Sequence, residues 1–310
     1  GGIDMKKICI VGGCGHVGLP LGLVLASRGF EVTLLDINKN AVGLINRGII
    51  PFQEEGAEEL LKKEINKNLF VTDDADVVRI QDVVIFITGT PVDEHHNPKI
   101  HEVLNVVEKY LPLMNKEQLI ILRSTIYPGT TEIIEQKLQK HFNTRPKLAF
   151  CPERILQGKG IEEIKNLNVN NNIKGFETAS EITKYLKEQF AGLFQRFLEA
   201  IEAELSKLML NTWRYLEFAI ANQFYMMVED KGLDFYKIFE AMKEDYPRAK
   251  NYCKPGLAAG PCLFKDTMQL SAFYRNQFFL GQFALQSLRY RNGRISCAGY
   301  THCLIYVSTA

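Results

Sequence analysis

Over its first half the chain alternates short apolar runs with amphipathic stretches. KKICIV (6–11), EVTLLD (31–36), VVIFIT (83–88), LIILRST (119–125) and KLAFCPE (147–153) each read as a buried strand. Between them, LGLVLASRGF and TTEIIEQKLQKHF carry apolar residues at helical spacing, the first closed by Gly29. Strands alternating with helices predict an α/β fold, a doubly wound parallel sheet with ligands at the strands' C-terminal ends. Around 161–177 the polar run NLNVNNNIKG reads as a loop or a short edge hairpin. From Thr178 the pattern turns helical, and about Leu198 to Val228 runs at helix spacing without proline or glycine. Such a helix is expected to connect two domains and to offer its apolar side as a dimerisation surface. The expected division is 1–197, 198–290 as a helical central domain, and 291–310 as an atypical tail.

The first turn carries the strongest local signal. In IVGGCGHVGLP, residues 10–20, Gly13, Gly15 and Gly18 fit G-x-G-x-x-G. The pattern alone is weak in a chain with 23 glycines. Its context is specific: a strand precedes it, a helix follows, and a second strand ends at Asp36, about 20 residues on, where a Rossmann-type fold places its ribose-binding acid. Gly13 is expected to permit the tight turn, Gly15 to let backbone approach a diphosphate, and Gly18 to let helix and strand pack closely. The diphosphate then meets the helix N-terminus, whose unpaired N–H groups and dipole favour an anion. Asp36 accepts from ribose hydroxyls and repels a 2′-phosphate, which favours NAD over NADP. The bland alternative is a glycine-rich turn in another α/β protein, with Asp36 as a helix cap.

Composition narrows the class. A formal net charge of +1 gives no support to nucleic-acid binding, and no long apolar run suggests a membrane span or a secretory leader. The seven cysteines lack C-x-x-C pairs, so neither a metal site nor a disulfide framework is indicated, and a reducing, cytoplasmic setting is expected. From Thr267 to Ala310 there is no Asp, Glu or Lys and only four arginines, where about ten charged residues are usual.

Four further segments hold candidate chemistry. RSTIYPGTTE (123–132) places Ser124 and Thr125 at a strand end, and CPERILQGKG (151–160) places Glu153 at the next. EAELSKLMLNTWR (202–214) puts Lys207 and Asn211 four apart, on one helix face. PGLAAGPCLFKD (255–266) reads as a small-residue loop presenting Cys262, with Lys265 and Asp266 close behind. Each has an ordinary reading: a strand-end cap, an ion-pair partner, a solvated helix face, a buried small thiol. Together, a thiol and lysines downstream of a dinucleotide domain suggest covalent chemistry on a carbonyl.

From about Lys6 to Asp266 these motifs, in order, resemble the UDP-sugar 6-dehydrogenases, which act on UDP-glucose, UDP-N-acetylglucosamine or UDP-N-acetylmannosamine. GCGHVGLP resembles the family's glycine turn, PFQEEGAEELL the segment after its second strand, and TGTPVDEHHNPKI its TP loop. RSTIYPGTTE resembles the ST…PGTT motif, CPERILQGKG the PE motif, EAELSKLMLNTW the AE…K…N helix, and GPCLFKD the nucleophile loop. The resemblance implies an NAD-dependent, two-step oxidation of the sugar C6 hydroxyl to a uronic acid through a thiohemiacetal and thioester on Cys262. It implies that Lys207 and Asn211 stabilise the oxyanion and that Thr125, Glu153 and Asp266 position water or relay protons. Gly13, Gly15, His16, Val17, Gly18, Asp36, Thr90, Pro91, Ser124, Thr125 and Lys265 are the implied cofactor contacts. A homodimer with a UDP-sugar substrate, in polysaccharide biosynthesis, is the implied setting.

Departures qualify the likeness. His16 stands where tyrosine is common, Gln157 replaces an acid of the UDP-glucose members, and NLNVNNNIKG lacks the family's P-R-I-V-G-G form. Glu153-Arg154 points to the N-acetylhexosamine branch, whereas Gly260-Pro261-Cys262 lacks that branch's histidine before the cysteine, so the sugar stays open. Family members carry a third, UDP-binding domain that is expected to be absent from this chain, with turnover impaired. Two competing readings are a 3-hydroxyacid-type dehydrogenase that works through a lysine without a nucleophilic cysteine, and a non-catalytic NAD-binding remnant.

Overall fold

A computed structural model describes residues 7–89, 101–152, 158–166, 200–256 and 260–274. Among the described residues six parallel strands form one sheet in the order β3-β2-β1-β4-β5-β6. They are β1 (Lys7–Val11), β2 (Glu31–Leu35), β3 (Leu69–Thr72), β4 (Val83–Phe86), β5 (Leu119–Leu122) and β6 (Lys147–Phe150). The register sets Ile10 of β1 between Leu34 of β2 and Ile85 of β4. The central strands read as unbroken apolar runs because helices cover both faces of the sheet, so every position is buried.

Side-chain alternation along each strand separates two cores. Ile8, Ile10, Leu34, Ile85 and Ile121 face α1 (Gly18–Ser27), α3 (Ala57–Glu64) and α6 (Gly160–Asn166). Cys9, Val11, Val84, Phe86, Ile120 and Leu122 face α4 (His101–Tyr110) and α5 (Thr130–Phe142). Between β2 and α3 runs α2 (Lys39–Asn46), capped by the Asn38 side chain, which accepts from the Ala41 amide. Nearly the whole of α1 is buried, since it lies centrally against β1 and β2. An added Cβ at Gly22 would stand 2.6 Å from Leu34 Cδ2, so that glycine allows the close approach of α1 to the strand.

The described residues fall into two compact units that divide between Leu205 and Ser206, within α7 (Ala200–Glu229). In the second unit α7 continues beside α8 (Phe235–Lys243) and α9 (Gly260–Phe273). Asp234 caps α8 by accepting from the amides of Tyr236 and Lys237, and Phe235 and Phe239 pack on Val228 of α7. Tyr215 of α7 and Leu263 of α9 form a second small core. Among the described residues no helix is long and apolar enough to cross a membrane.

Two expectations need revising. The strand β3, LFVT, is strand-favouring in composition but only four residues long, and it adds an edge strand beyond the five apolar runs named above. The segment ahead of Lys265 is not a loop throughout: α9 begins at Gly260, so Cys262 lies in a helix's first turn. Proline is tolerated in that turn because the amide it lacks has no intrahelical partner there, so Pro261 starts the helix rather than breaking it. NLNVNNNIKG beyond Asn166, Gln157 and the 291–310 tail lie outside the described residues.

Among the described glycines, Gly12 leaves the least room for a side chain: its φ is +78° and an added Cβ would stand 1.8 Å from the Ile87 carbonyl oxygen. Gly12→Ala is expected to lower stability by at least about 3 kcal/mol, combining left-handed strain with overpacking. Gly29→Ala, at φ +91° with nothing within 4 Å of the new Cβ, should cost only about 1–2 kcal/mol. Urea midpoints of the two variants measure the difference, and equal losses would show that the Ile87 contact is not the constraint.

Candidate active site

The glycine turn links β1 to α1 on the C-terminal side of the sheet. Its positive φ falls at Gly12 rather than Gly13, a position the motif does not count. Gly18 lets α1 start against the turn: a Cβ there would lie 2.6 Å from the Gly12 carbonyl oxygen and 2.7 Å from the Gly13 Cα. Gly15 differs. It is exposed, and its Cβ would meet nothing nearer than 3.9 Å, so the space above it is open for a ligand to approach the backbone. The N-cap residue of α1 is Val17, which provides no side-chain cap. Open space over Gly15 and an uncapped helix start fit a dinucleotide diphosphate.

Asp36 follows β2 and reaches back to this turn. Its Oδ2 accepts from the Cys14 amide at 2.9 Å and its Oδ1 from the Asn38 amide at 3.0 Å. The helix cap itself is Asn38, so the bland reading of Asp36 as that cap does not hold. Each carboxylate oxygen keeps a further lone pair with which to accept from a ribose hydroxyl. His16, exposed beside Gly15, stacks on Phe52 at 4.0 Å between ring centroids. Phe52 belongs to the PFQEEG loop, which lines a cavity of about 940 Å³ with Ile50, Glu58 and Lys62. Glu54 in that loop accepts from the amides of Gly158 and Ile161 at 3.0 Å each, and so caps α6.

Ser124, two residues beyond β5, joins two strand ends. Its hydroxyl accepts from the Thr88 amide at 2.7 Å and lies 3.3 Å from the Thr88 hydroxyl. Thr125 beside it is half-buried. Thr90, Pro91 and Glu153 lie outside the described residues. At the start of α5, Gly129 is the N-cap and has no side chain to offer. The donors there are met by Glu204, a residue not singled out above although it lies in the EAELSK segment.

The second unit holds the other candidates. Asn211 Nδ2 donates to Asp266 Oδ2 at 2.6 Å, and Lys265 Nζ lies 3.6 Å from Asp266 Oδ1. Asp266 is 1% exposed, and burial raises its carboxyl above the usual carboxylate range. Lys265, the Asn211 hydrogen bond and Lys207 pull the other way without cancelling the cost of desolvation. Lys207 and Asn211 share one face of α7, as Cys262 and Asp266 share one face of α9. Asn222, also unanticipated, pairs with Gly256 in both directions: its Nδ2 donates to the carbonyl oxygen at 2.8 Å and its Oδ1 accepts from the amide at 2.7 Å. That pair holds the chain four residues before α9.

Accessibility distinguishes the thiols. Burial pushes Cys9, Cys14 and Cys151 up to about 12, which leaves them as inert core thiols at neutral pH. Cys253 is half-buried, and burial raises it as well. Among the described cysteines only Cys262 is exposed.

Residues 6–196 match the NAD binding domain of the UDP-glucose/GDP-mannose dehydrogenase family, and residues 201–289 match that family's central domain. A UDP-N-acetyl-D-mannosamine dehydrogenase of Methanococcus maripaludis is 32% identical over 268 residues, which cover 84% of this chain and 60% of that protein. The chain therefore spans about 60% of the length of this curated relative. A solved structure of the UDP-D-ManNAc dehydrogenase from Pyrococcus horikoshii is similar with a TM-score of 0.78 and 29% identity, over 90% of this chain and 67% of that one. A UDP-glucose dehydrogenase from Pyrobaculum islandicum also reaches a TM-score of 0.78, at 22% identity over 93% of this chain and 68% of that one, and shares the fold. With both domain models matched in order along the chain, the protein belongs to the UDP-glucose/GDP-mannose dehydrogenase family.

Proposed function

We propose that the protein takes part in NAD-dependent oxidation of the C6 hydroxyl of a UDP-sugar to the UDP-uronic acid, with Cys262 as the covalent nucleophile. The observation that carries this reading is the exposure of Cys262 on the α9 face it shares with buried, Asn211-bound Asp266. NAD, when bound, supplies the two-electron acceptor for each of the two oxidations. Gly13, Gly15, His16, Val17 and Gly18 would hold its diphosphate, Asp36 its ribose, and Thr90, Pro91, Ser124, Thr125 and Lys265 the remainder.

The chain's own groups have distinct tasks. Cys262 Sγ bonds to the aldehyde carbon, whose carbonyl electron pair moves onto oxygen and takes a proton to give a thiohemiacetal. The second oxidation leaves a thioester; water adds to its carbonyl carbon, the C–S bond breaks, and the acid and thiol are released. Lys207 and the second N–H of the Asn211 amide stabilise the oxyanion. Asp266 takes the water's proton, a task suited to a carboxylate raised by burial. Thr125 and Glu153 help to position that water.

A 3-hydroxyacid-type dehydrogenase would use Lys207 and need no exposed thiol, so Cys262 favours the first reading. A non-catalytic NAD-binding role would keep the glycine turn and lose turnover. The names of the relatives make UDP-N-acetylmannosamine the first sugar to test, and the reaction is assigned to the cytoplasm with its nucleotide-sugar substrates. We extend the proposal to a homodimer through α7, on which Met209, Trp213, Ile220, Phe224 and Met227 are exposed at helical spacing.

Three outcomes are expected. Fluorescence titration should give tighter binding of NAD than of NADP, since Asp36 repels a 2′-phosphate, and the reverse order would defeat the ribose assignment. Incubation with a UDP-6-aldehyde sugar should leave a mass-spectrometric adduct on the Cys262 peptide, and Cys262→Ser should lose both the adduct and uronate formation. Undiminished uronate from that variant would remove Cys262 from the mechanism. Trp213, the chain's one tryptophan and 63% exposed, should shift its emission to shorter wavelength as protein concentration rises. Trp213→Glu should stay monomeric by light scattering; a wild-type monomer at micromolar concentration would overturn the dimer.

A further inference from the structure

We infer that Glu204 is a positioning residue whose carboxylate acts as a built-in anion at the start of α5, holding the Ser124–Thr131 turn in shape for cofactor binding. This rests on the reading of Ser124 and Thr125 as cofactor contacts. Glu204 accepts from the Gly129 amide at 2.6 Å, the Thr131 amide at 2.9 Å and the Thr131 hydroxyl at 2.5 Å. It is 1% exposed and stands more than seventy residues away in sequence from the groups it binds.

The arrangement is unusual in its cost. A helix start is normally capped by its own Ser, Thr, Asp or Asn at the surface, with no charge taken into the interior. Here the N-cap is Gly129, in the left-handed region at φ 92°, and the cap comes from a distant buried carboxylate. A buried carboxylate is tolerated only when its oxygens are well supplied with donors, and three donors at the positive end of a helix meet that condition. A serine at the N-cap would reach the Thr131 amide but not its own, and would tie nothing together. Glu204 joins the turn that follows Ser124 and Thr125 to the first part of α7, the helix that carries Lys207 three residues later. The charge therefore fixes two segments at once.

The test replaces the carboxylate and then returns an anion from solution. In Glu204→Ala, hydrogen exchange at the Gly129 and Thr131 amides should speed up and NAD affinity should fall on the order of tenfold. Sodium formate, added at constant ionic strength, should restore both in a saturable manner, with no such response in wild type. Glu204→Gln keeps the side-chain volume and one acceptor oxygen. It should lie between the two, and it serves if the alanine variant does not fold. Unchanged amide exchange in both variants, or no rescue by formate, would overturn the cap. Faster exchange with unaltered NAD affinity would overturn the positioning role while leaving the cap in place. A wild-type protein that does not bind NAD would refute the cofactor reading of Ser124 and Thr125, and the positioning role with it, while the exchange measurement still reports the cap independently.

Discussion

The absence of side chains at the β1–α1 turn is the constraint on which the sheet unit depends. The turn must pass within van der Waals range of the Ile87 carbonyl on one side and of the α1 start on the other, and only glycine at residues 12 and 18 leaves room. Asp36 completes the turn from outside by accepting from the Cys14 amide. One carboxylate therefore shapes the loop and, in the function proposed above, also supplies the charge that favours NAD over NADP. Weakening the turn would be expected to disturb affinity and selectivity together.

The same economy recurs along α7. Glu204, Asn211 and Asn222 each engage a separate partner: a helix start, a buried aspartate and a backbone pair. Between them Leu208, Tyr215 and Ala219 are buried apolar contacts. The helix is thus a rod whose inner stripe alternates packing with polar grips, while its exposed side carries Trp213 and Met227. Asp266 shows what one grip does to chemistry. Burial raises its carboxyl, and Lys265, the Asn211 hydrogen bond and Lys207 limit the rise.

Much of this was legible in the sequence where one physical signal dominated. The run TTEIIEQKLQKHF coincides with α5, because a proline-glycine turn precedes it and its apolar period is helical. The glycine turn and Asp36 could be placed, between β1 and α1 and just after β2, because strand, turn, helix and strand follow one another at characteristic spacing. β3 stood apart because LFVT, although strand-favouring, is too short for a period to separate it from the helix ahead of it. Gly260-Pro261 looked like loop chemistry, yet proline suits a helix's first turn. Glu204 and Glu54 were invisible for another reason. Which of many acidic residues is buried against distant amides depends on tertiary contact, and neither composition nor period encodes it.

Those two carboxylates also bear on how the polypeptide is partitioned. Glu54 closes onto Gly158 and Ile161 across more than a hundred residues, and Glu204 closes onto Gly129 and Thr131 across more than seventy. Contacts so remote carry a loop-closure cost that is recovered only after the intervening strands have assembled. The sheet unit does not end at its sixth strand: the start of α5 is completed by Glu204, a side chain of the same unit that arrives only with the first turns of α7. A fragment cut after β6 would contain every strand of the described residues and still lack the cap of α5.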